Sequence, residues 1–229
     1  MRELIGKLKR IKGVVFDMDG LMFDSERIVQ YSWNEAGQQM GYGLLGDENM
    51  CHTIGFNMAR RQEYFYKKYG QDFPFEEFKE RYRKAYAEYV DRHGVPAKEG
   101  LHELLEVLWR QKIPMAIATS SSYEHARRNV EKERIAGYFQ GMVTGNMVTE
   151  GKPSPEIYRK ACELLSVEPE KALALEDSLH GILSAHRAGM VTVMVPDLIK
   201  DSSSVDGILD GKATSLLEVA RWIEDEENE

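Results

Sequence analysis

The sequence has few cysteines, scattered histidines and no long apolar run, and each shortage excludes a class of protein. Only two of its 229 residues are cysteines, Cys51 and Cys162, which fits a reducing cytosol better than a disulfide framework. The six histidines lack the spacing of zinc ligands. No segment approaches the roughly 20 consecutive apolar residues of a membrane-spanning helix, and the basic N-terminus is not followed by the apolar stretch of a signal peptide. We therefore expect a cytoplasmic protein without a membrane partner.

Basic residues are also fewer than acidic ones, 30 against 38. The formal net charge is −8, whereas a general nucleic-acid binder needs a basic stripe, so no nucleic-acid partner is expected. Apolar residues make up 42% of the chain, which is enough for a buried core. The length allows one large domain or a main domain with a smaller one. We expect a monomer and leave an oligomer open.

Short apolar runs alternate with helical patterns through most of the chain. Each run is bounded by turn or polar residues, which is typical of buried strands. The strands are predicted at residues 14–16, 115–118, 142–144, 172–175 and 191–195, and the helices at 101–111, 123–133, 155–165 and 180–188. This alternation predicts an α/β fold, a Rossmann-like parallel sheet with helices on both faces. Such sheets bind ligands beyond the carboxyl ends of their strands.

One interval between strands is far longer than the others. About a hundred residues separate the first two strands, whereas a single crossover unit needs about 30. Residues 27–94 read as helices, contain 14 of the 22 aromatic residues, and carry ten basic and ten acidic side chains. We predict an inserted α-helical domain at 27–94, with its aromatics as its own core, and an α/β core domain made of residues 1–26 and 95–229.

Two aspartates follow the first predicted strand, in the segment Asp17-Met18-Asp19-Gly20. Carboxylates here suit Mg²⁺ binding and attack on phosphorus. A carboxylate that approaches a phosphate dianion meets a repulsion of about 4 kcal/mol per unit charge pair at 4 Å and an effective dielectric near 20. A cation must offset it, further donors must hold the phosphate oxygens, and a second acid must protonate the leaving alkoxide. Asp17 is a candidate nucleophile and Asp19 a candidate acid/base.

Groups suited to the remaining roles follow later strands. Thr119-Ser120-Ser121 offers hydroxyls and backbone N–H groups for phosphate oxygens. Lys152 lies in a proline-stiffened loop before a helix, and Glu176-Asp177 offers carboxylates to a metal. Taken alone, each segment has an ordinary explanation: the Ser/Thr cluster as a helix cap, Lys152 as a solvated charge, and Glu176-Asp177 as surface carboxylates. Their joint occurrence at predicted strand ends favours phosphoryl transfer.

These segments resemble the haloacid dehalogenase-like hydrolase superfamily, in the subgroup with a helical cap between its first two motifs. The matching stretches are VVFDMDGLMFDSE, IATSSS, GKPSPEIY and LEDSLHGILSAHRAGM. The resemblance implies that Asp17 is phosphorylated, and that Asp19 is the general acid/base and binds Mg²⁺ through its backbone carbonyl. It implies that Thr119 and Lys152 hold the phosphate. It also implies that Asp177 together with Glu176 completes the metal site.

The resemblance leaves two reactions open, hydrolysis and phosphosugar mutation. On an ungapped comparison, β-phosphoglucomutases carry a histidine where this chain has Val29 and a substrate-binding arginine where it has Met58. Both departures favour a Mg²⁺-dependent phosphatase acting on a small phosphorylated metabolite such as a sugar phosphate, with the mutase as the alternative. With both aspartates present, nothing favours a non-catalytic phosphate binder.

Contacts with the rest of the substrate are expected from two places. In the helical insertion they are the loop Gly55-Phe56-Asn57 together with Arg60 and Arg61, although the two arginines fit equally well as solvated helix charges. In the core they are Ser120 and Ser121.

Overall fold

The computed structural model describes residues 2–54, 56–198 and 202–224. Six parallel strands form one sheet in the order β3-β2-β1-β4-β5-β6. They are β1 (Gly13–Phe16), β2 (Met115–Thr119), β3 (Phe139–Thr144), β4 (Ala172–Glu176), β5 (Val191–Met194) and β6 (Gly211–Lys212). The predicted fold class is confirmed. The two-residue strand β6 was not predicted, because Gly-Lys carries no apolar pattern.

The position of β1 in the sheet determines where a site can form. β1 pairs with β2 on one side and with β4 on the other, because the chain builds outward through β2 and β3 and then crosses back to β4. A crevice opens at such a point of reversal, beyond the carboxyl ends of the strands. Asp17 is the residue that directly follows β1.

The described residues form ten α-helices: α1 (Arg2–Leu8), α2 (Ser25–Gln39), α3 (Leu45–Thr53), α4 (Met58–Tyr69), α5 (Phe75–His93), α6 (Leu101–Arg110), α7 (Tyr123–Lys132), α8 (Glu156–Leu165), α9 (Leu179–Ala188) and α10 (Leu216–Glu224). Helices α1 and α6–α10 cover the two faces of the sheet. Strand side chains alternate between the faces. Val14 and Phe16 pack with α1, α6, α7 and α10, whereas Val15 packs with α8 and α9. Small residues such as Ala116 and Ala174 on this second face let α8 and α9 approach closely.

Helices α2–α5 form a separate unit with its own apolar cluster. Within this cluster Trp33 makes ring contacts with Phe65, Phe78 and Tyr82. Offset and edge-on aromatic pairs of this kind contribute about 0.5–1.5 kcal/mol each beyond their buried area. Most aromatics of the helical unit therefore serve as its core, and only a few are left to face the rest of the molecule.

Two adjacent linkers join the helical unit to the sheet. Phe23 and Ala97 form an antiparallel bridge. The Asp24 backbone N–H donates to the Pro96 carbonyl at 2.9 Å, and the Lys98 N–H donates to the Met22 carbonyl at 2.9 Å. The unit thus leaves and returns to the core at one place, beside the carboxyl end of β1. Among the described helices, none has the length and apolar character needed to span a membrane.

Candidate active site

A buried ion pair lies at the carboxyl end of β1. Lys152 is 2% exposed and Asp17 is 6% exposed. The Lys152 Nζ donates to Asp17 Oδ1, to Glu176 Oε1 at 2.6 Å and to the Ala118 carbonyl at 3.0 Å. Burial opposes the charge of Lys152, but Asp17 and Glu176 raise the pKa of its ammonium above the usual value. Lys152 is therefore a fixed positive charge directly against Asp17.

Glu176 holds this lysine in place. Its Oε1 accepts from Lys152 and also from the Tyr158 hydroxyl at 2.8 Å. Its Oε2 accepts from the Asp177 N–H at 3.1 Å, the Ser178 N–H at 3.0 Å and the Ser178 hydroxyl at 2.9 Å. Both carboxylate oxygens are thus supplied with donors from the protein. This saturation favours a role in orienting Lys152, in addition to or in place of the predicted role as a metal ligand.

A metal ion fits the carboxylates around Asp17. Oxygen atoms of Asp17, Glu176 and Asp177 lie within 4.8 Å of one another. Asp177 Oδ2 is buried and has no hydrogen-bond partner within the described part of the chain. Burial, followed by the charges of Glu26, Glu176 and Asp17, raises the pKa of Asp177 well above its usual value. An orphaned carboxylate oxygen in an all-oxygen donor set suits a hard cation of the Mg²⁺ class.

The glycine after the second aspartate is required by the same site. Gly20 has φ +88°, in the left-handed region, and a Cβ there would lie 2.3 Å from Asp177 Oδ2. Only glycine combines this backbone conformation with so close an approach. The turn therefore brings the aspartate segment against Asp177, from the other side of the sheet's central crevice.

Burial raises the pKa of Asp17 to about 8; the nearby Glu176 carboxylate adds to this rise, and Lys152 opposes it. A divalent cation beside Asp17 would favour its ionised form, since an opposite charge stabilises a carboxylate. The excess of buried carboxylates over buried cations is thus a second observation that a metal ion fits here.

Asp19 lies in a different environment, rich in donors. Its Oδ1 accepts from the Ser25 hydroxyl at 2.7 Å, and its Oδ2 accepts from the Ser121 hydroxyl at 2.6 Å. The His125 Nε2 is 3.7 Å from Oδ1. Burial works against ionisation, but His125, Ser121 and Ser25 together hold the pKa of Asp19 well below its usual range. Asp19 is therefore a carboxylate in the protein without substrate.

Thr119 and the two serines after it lie where they were predicted, at the end of β2. The buried Thr119 hydroxyl accepts from the Ser121 backbone N–H at 3.1 Å and lies 3.5 Å from Asp19 Oδ2. All three side chains line the same cavity as Asp17 and Asp19. The ends of β1 and β2 thus place hydroxyls and carboxylates around one space.

This cavity has a volume of about 770 Å³ and lies between the sheet and the helical unit. Besides Asp177 Oδ2, three buried polar atoms of its lining residues have no hydrogen-bond partner among the residues described: Glu26 Oε2, Arg61 Nε and the Tyr86 hydroxyl. Leaving a polar group buried and unpartnered costs about 1–3 kcal/mol. Several such groups around one cavity indicate that a polar ligand satisfies them.

The residues of the helical unit that were predicted to contact the substrate do not all line the cavity. Asn57 lines the cavity, but its side chain also caps α4 by accepting from the Arg60 N–H at 3.0 Å. Arg61 lines the cavity with its guanidinium over the Trp33 ring, 5.2 Å from the centroid. Arg60 points elsewhere, toward the Lys152 loop. Gly55 lies outside the described residues.

Sequence reasoning missed the places of Glu26, Tyr86 and His125 in the site, and it did not distinguish Arg61, which lines the cavity, from Arg60, which does not. Glu26 is the last residue of the matching stretch VVFDMDGLMFDSE, and Ser121 and His125 are four residues apart, so weak signals existed. Tyr86 gave none, because its place in the cavity depends on how α5 packs over the sheet.

Comparison with known proteins finds a matching family model, curated relatives and solved structures of similar fold. Residues 14–195 match the family model described as haloacid dehalogenase-like hydrolase. The phosphorylated carbohydrates phosphatase of Thermotoga maritima is 30% identical over 181 residues, covering 79% of this chain and 82% of that protein. Hexitol phosphatase A of Escherichia coli is 30% identical over 188 residues, covering 81% and 83%. The crystal structure of β-phosphoglucomutase from Clostridium difficile superposes with a TM-score of 0.76 at 17% identity, over 96% of this chain and all of that one (100%), which shows a shared fold.

Proposed function

The chain is a hydrolase that belongs to the haloacid dehalogenase-like family, and from that premise we propose that it is a Mg²⁺-dependent phosphatase. It hydrolyses a small phosphate monoester through a phosphorylated Asp17. The observation that carries the proposal is the contact of buried Asp17 with Lys152, beside the orphaned oxygen of Asp177. Asp17, Asp177 and the Asp19 carbonyl would hold the metal ion, and Glu176 lies within reach of it.

In the first step, a carboxylate oxygen of Asp17 forms a bond to phosphorus while the bond from phosphorus to the ester oxygen breaks. When bound, Mg²⁺ supplies positive charge that offsets repulsion between Asp17 and the phosphate. Lys152 and Thr119 hold the phosphoryl oxygens, and the Lys152 charge stabilises the negative charge that they share. The departing alkoxide takes a proton from Asp19 and leaves as an alcohol.

Asp19 must carry that proton although its pKa is low in the protein without substrate. A phosphate dianion placed beside Asp19 raises the carboxyl's affinity for a proton, because like charges disfavour ionisation. In the second step Asp19 is a carboxylate again and takes a proton from water, whose oxygen attacks phosphorus. The bond from phosphorus to Asp17 breaks, and inorganic phosphate and free Asp17 result.

Two apolar side chains favour hydrolysis over the mutase reaction. Val29 and Met58 occupy the positions where the resemblance places the mutase histidine and arginine, and both line the cavity. Neither can donate a hydrogen bond to a sugar phosphate. The relatives that are 30% identical are named phosphatases, which supports the same choice.

The cavity supports a polar substrate of modest size. Glu26 Oε2, Arg61 Nε and the Tyr86 hydroxyl offer an acceptor, a charged donor and a hydroxyl to the part of the substrate beyond the phosphate. A polyhydroxylated ester such as a sugar or sugar-alcohol phosphate satisfies all three. We propose that residues 27–94 act as a cap domain that closes over this substrate and limits access of water.

The test is phosphate release with Mg²⁺ from a panel of sugar, sugar-alcohol and other phosphate monoesters. β-Glucose 1-phosphate is assayed in parallel for glucose 6-phosphate with a bisphosphate activator. Free phosphate from one or more esters, lost on addition of a chelator and in Asp17→Asn, supports the proposal. Fast isomerisation with little phosphate release would establish the mutase instead, and near-normal activity of a folded Asp17→Asn protein would refute the covalent mechanism.

A further inference from the structure

Arg60, in the first turn of α4, reaches out of the cap to the α/β core. Its Nη1 donates to the backbone carbonyl of Lys152 at 3.1 Å, and its Nη2 lies 3.1 Å from His180 Nε2. The guanidinium also stacks on the Phe56 ring at 4.3 Å, and that ring packs edge-on against His180 with 4.9 Å between centroids. Arg60 and Phe56 of the cap therefore contact Lys152 and His180 of the core.

The Lys152 loop is held from two directions. From the core helix α9, the Ser184 hydroxyl donates to the Ser154 carbonyl at 2.5 Å, and Arg187 donates to the Pro153 carbonyl at 3.0 Å. The carbonyl of Lys152 itself takes its donor from the cap. The main chain of Lys152 is thus supported from the cap, whereas its ammonium is held by Asp17, Glu176 and the Ala118 carbonyl of the core.

A close approach at the preceding residue shows how tightly the cap is seated here. A Cβ on Gly151 would lie 2.9 Å from the Asn57 amide nitrogen, closer than real Cβ atoms come to such a group. A side chain at 151 would therefore have to push the amide end of the Asn57 side chain aside. Arg60 and Asn57 both lie at the start of α4, so the same end of one helix makes both contacts with the loop.

We propose that Arg60 is a positioning residue that couples closure of the cap to placement of Lys152 against Asp17. The coupling rests on the proposed phosphatase, because only there does Lys152 act on a phosphate. With the cap closed, Arg60 fixes the Lys152 main chain and the ammonium is aimed at Asp17. With the cap open, this bond is absent and the loop keeps its core contacts: those from α9, the Glu156 carboxylate that accepts from the Glu150 N–H, and those of the Lys152 ammonium. The enzyme thereby assembles its phosphate site only when the substrate is enclosed.

The experiment compares Arg60→Met with Arg81→Met, in the full chain with Mg²⁺. Methionine keeps an apolar stem on Phe56 but removes both donors. Arg81 is an exposed cap arginine that pairs with Glu77 on its own helix, so its variant controls for loss of a cap charge. Two quantities are measured, kcat on the best ester and hydrogen–deuterium exchange of the peptide that contains residues 150–154.

For Arg60→Met we expect kcat to fall by about tenfold or more, the scale of one charge-assisted hydrogen bond, with faster exchange in that peptide. Arg60→Lys, which keeps one charged donor, is expected to recover part of kcat, and Arg81→Met to match the unmodified protein in both. Unchanged exchange, or unchanged kcat with faster exchange, overturns the proposal. If no ester is hydrolysed by the unmodified protein, the phosphatase assignment fails, and the exchange experiment still decides whether Arg60 holds the loop.

Discussion

His125 Nε2 lies 3.7 Å from Asp19 Oδ1, across the mouth of the cavity. The histidine comes from α7 in the core, and its ring also contacts the Tyr86 ring of the cap at 5.9 Å between centroids. Its Nε2 is 3.1 Å from the Asn129 amide nitrogen. One core side chain therefore contacts the proposed acid/base and a residue of the cap at the same time.

We predict that this pair makes folding stability depend on pH. Burial lowers the pKa of His125, but Asp19 raises it by more, against a smaller opposing effect of Arg128, so the pKa lies above 6.5. A folded-state pKa above the unfolded value stabilises the fold fully below the unfolded pKa, and this contribution is lost as pH rises through the folded pKa. His125→Gln should therefore cost about 1 kcal/mol or less at mildly acidic pH, and less still at alkaline pH.

Urea unfolding in the presence of a chelator measures this difference across the pH range. His186→Gln serves as the control, because His186 is exposed on α9. A His125→Gln destabilisation that is constant with pH, or that grows toward alkaline pH, would contradict the prediction.

A second prediction separates the two roles open to Glu176. Its carboxylate accepts from Lys152 and Tyr158 on one oxygen and from three donors on the other. If its main work is to orient Lys152, Glu176→Gln lowers kcat while the Mg²⁺ concentration for half-maximal activity changes little. Asp177→Asn, which alters the orphaned oxygen, should raise that concentration by about tenfold or more.

Mg²⁺ titrations of the two variants provide the measurement, and Glu170→Gln, near the start of β4, provides the control. An equal rise in the Mg²⁺ requirement for Glu176→Gln and Asp177→Asn would identify Glu176 as a direct metal ligand, as the sequence resemblance implies.

The core of the site could be predicted from sequence because topology alone brings strand ends together. Asp17, Thr119 and Glu176 end or follow neighbouring strands β1, β2 and β4, and parallel strands meet at one edge. Short apolar runs located those strands without any knowledge of side-chain contacts. Strand β6 is missing from the sequence prediction because two residues carry no periodic signal. Helices α1 and α10 are missing as well, although the apolar residues of α10 recur at helical spacing, as in Leu216, Val219 and Ile223.

The cap side could not be predicted in the same way. Arg60 and Arg61 are adjacent, but successive helical residues point about 100° apart, so one clasps the core and the other lines the cavity. Which of them does which depends on how α4 lies over the sheet, and this is set by tertiary packing. Tyr86 and His125 meet for the same reason, across a contact between two elements that are distant in sequence.

The third prediction concerns the leaving group. Asp19→Asn should slow hydrolysis of alkyl phosphates by about a hundredfold or more, because asparagine cannot protonate the alkoxide. p-Nitrophenyl phosphate has a leaving group that needs little protonation, so its loss in kcat should be much smaller. The ratio of the two losses is measured under saturating Mg²⁺. Equal losses on both esters would count against the acid role of Asp19, and Asp24→Asn, at the entry to α2, is the matched control.

The fourth prediction uses the unpartnered Tyr86 hydroxyl. Burial, and then the charge of Asp19, raise the pKa of this phenol, so it is neutral, and its oxygen has no partner in the described structure. Tyr86→Phe removes a buried polar atom that costs about 1–3 kcal/mol when it is unsatisfied. The variant should therefore be at least as stable as the unmodified protein.

The same substitution, Tyr86→Phe, should weaken substrate binding. If the hydroxyl bonds to the ester beyond its phosphate, Tyr86→Phe raises KM for the preferred polyol ester by about fivefold to tenfold and leaves KM for p-nitrophenyl phosphate nearly unchanged. Thermal unfolding and steady-state kinetics on both esters measure the two effects, with Tyr89→Phe, outside the cavity lining, as control. A less stable Tyr86→Phe protein with unchanged KM would show that the hydroxyl serves the fold. A gain in stability together with a loss of affinity for one substrate alone is expected only of a group left unsatisfied so that it can bind that substrate.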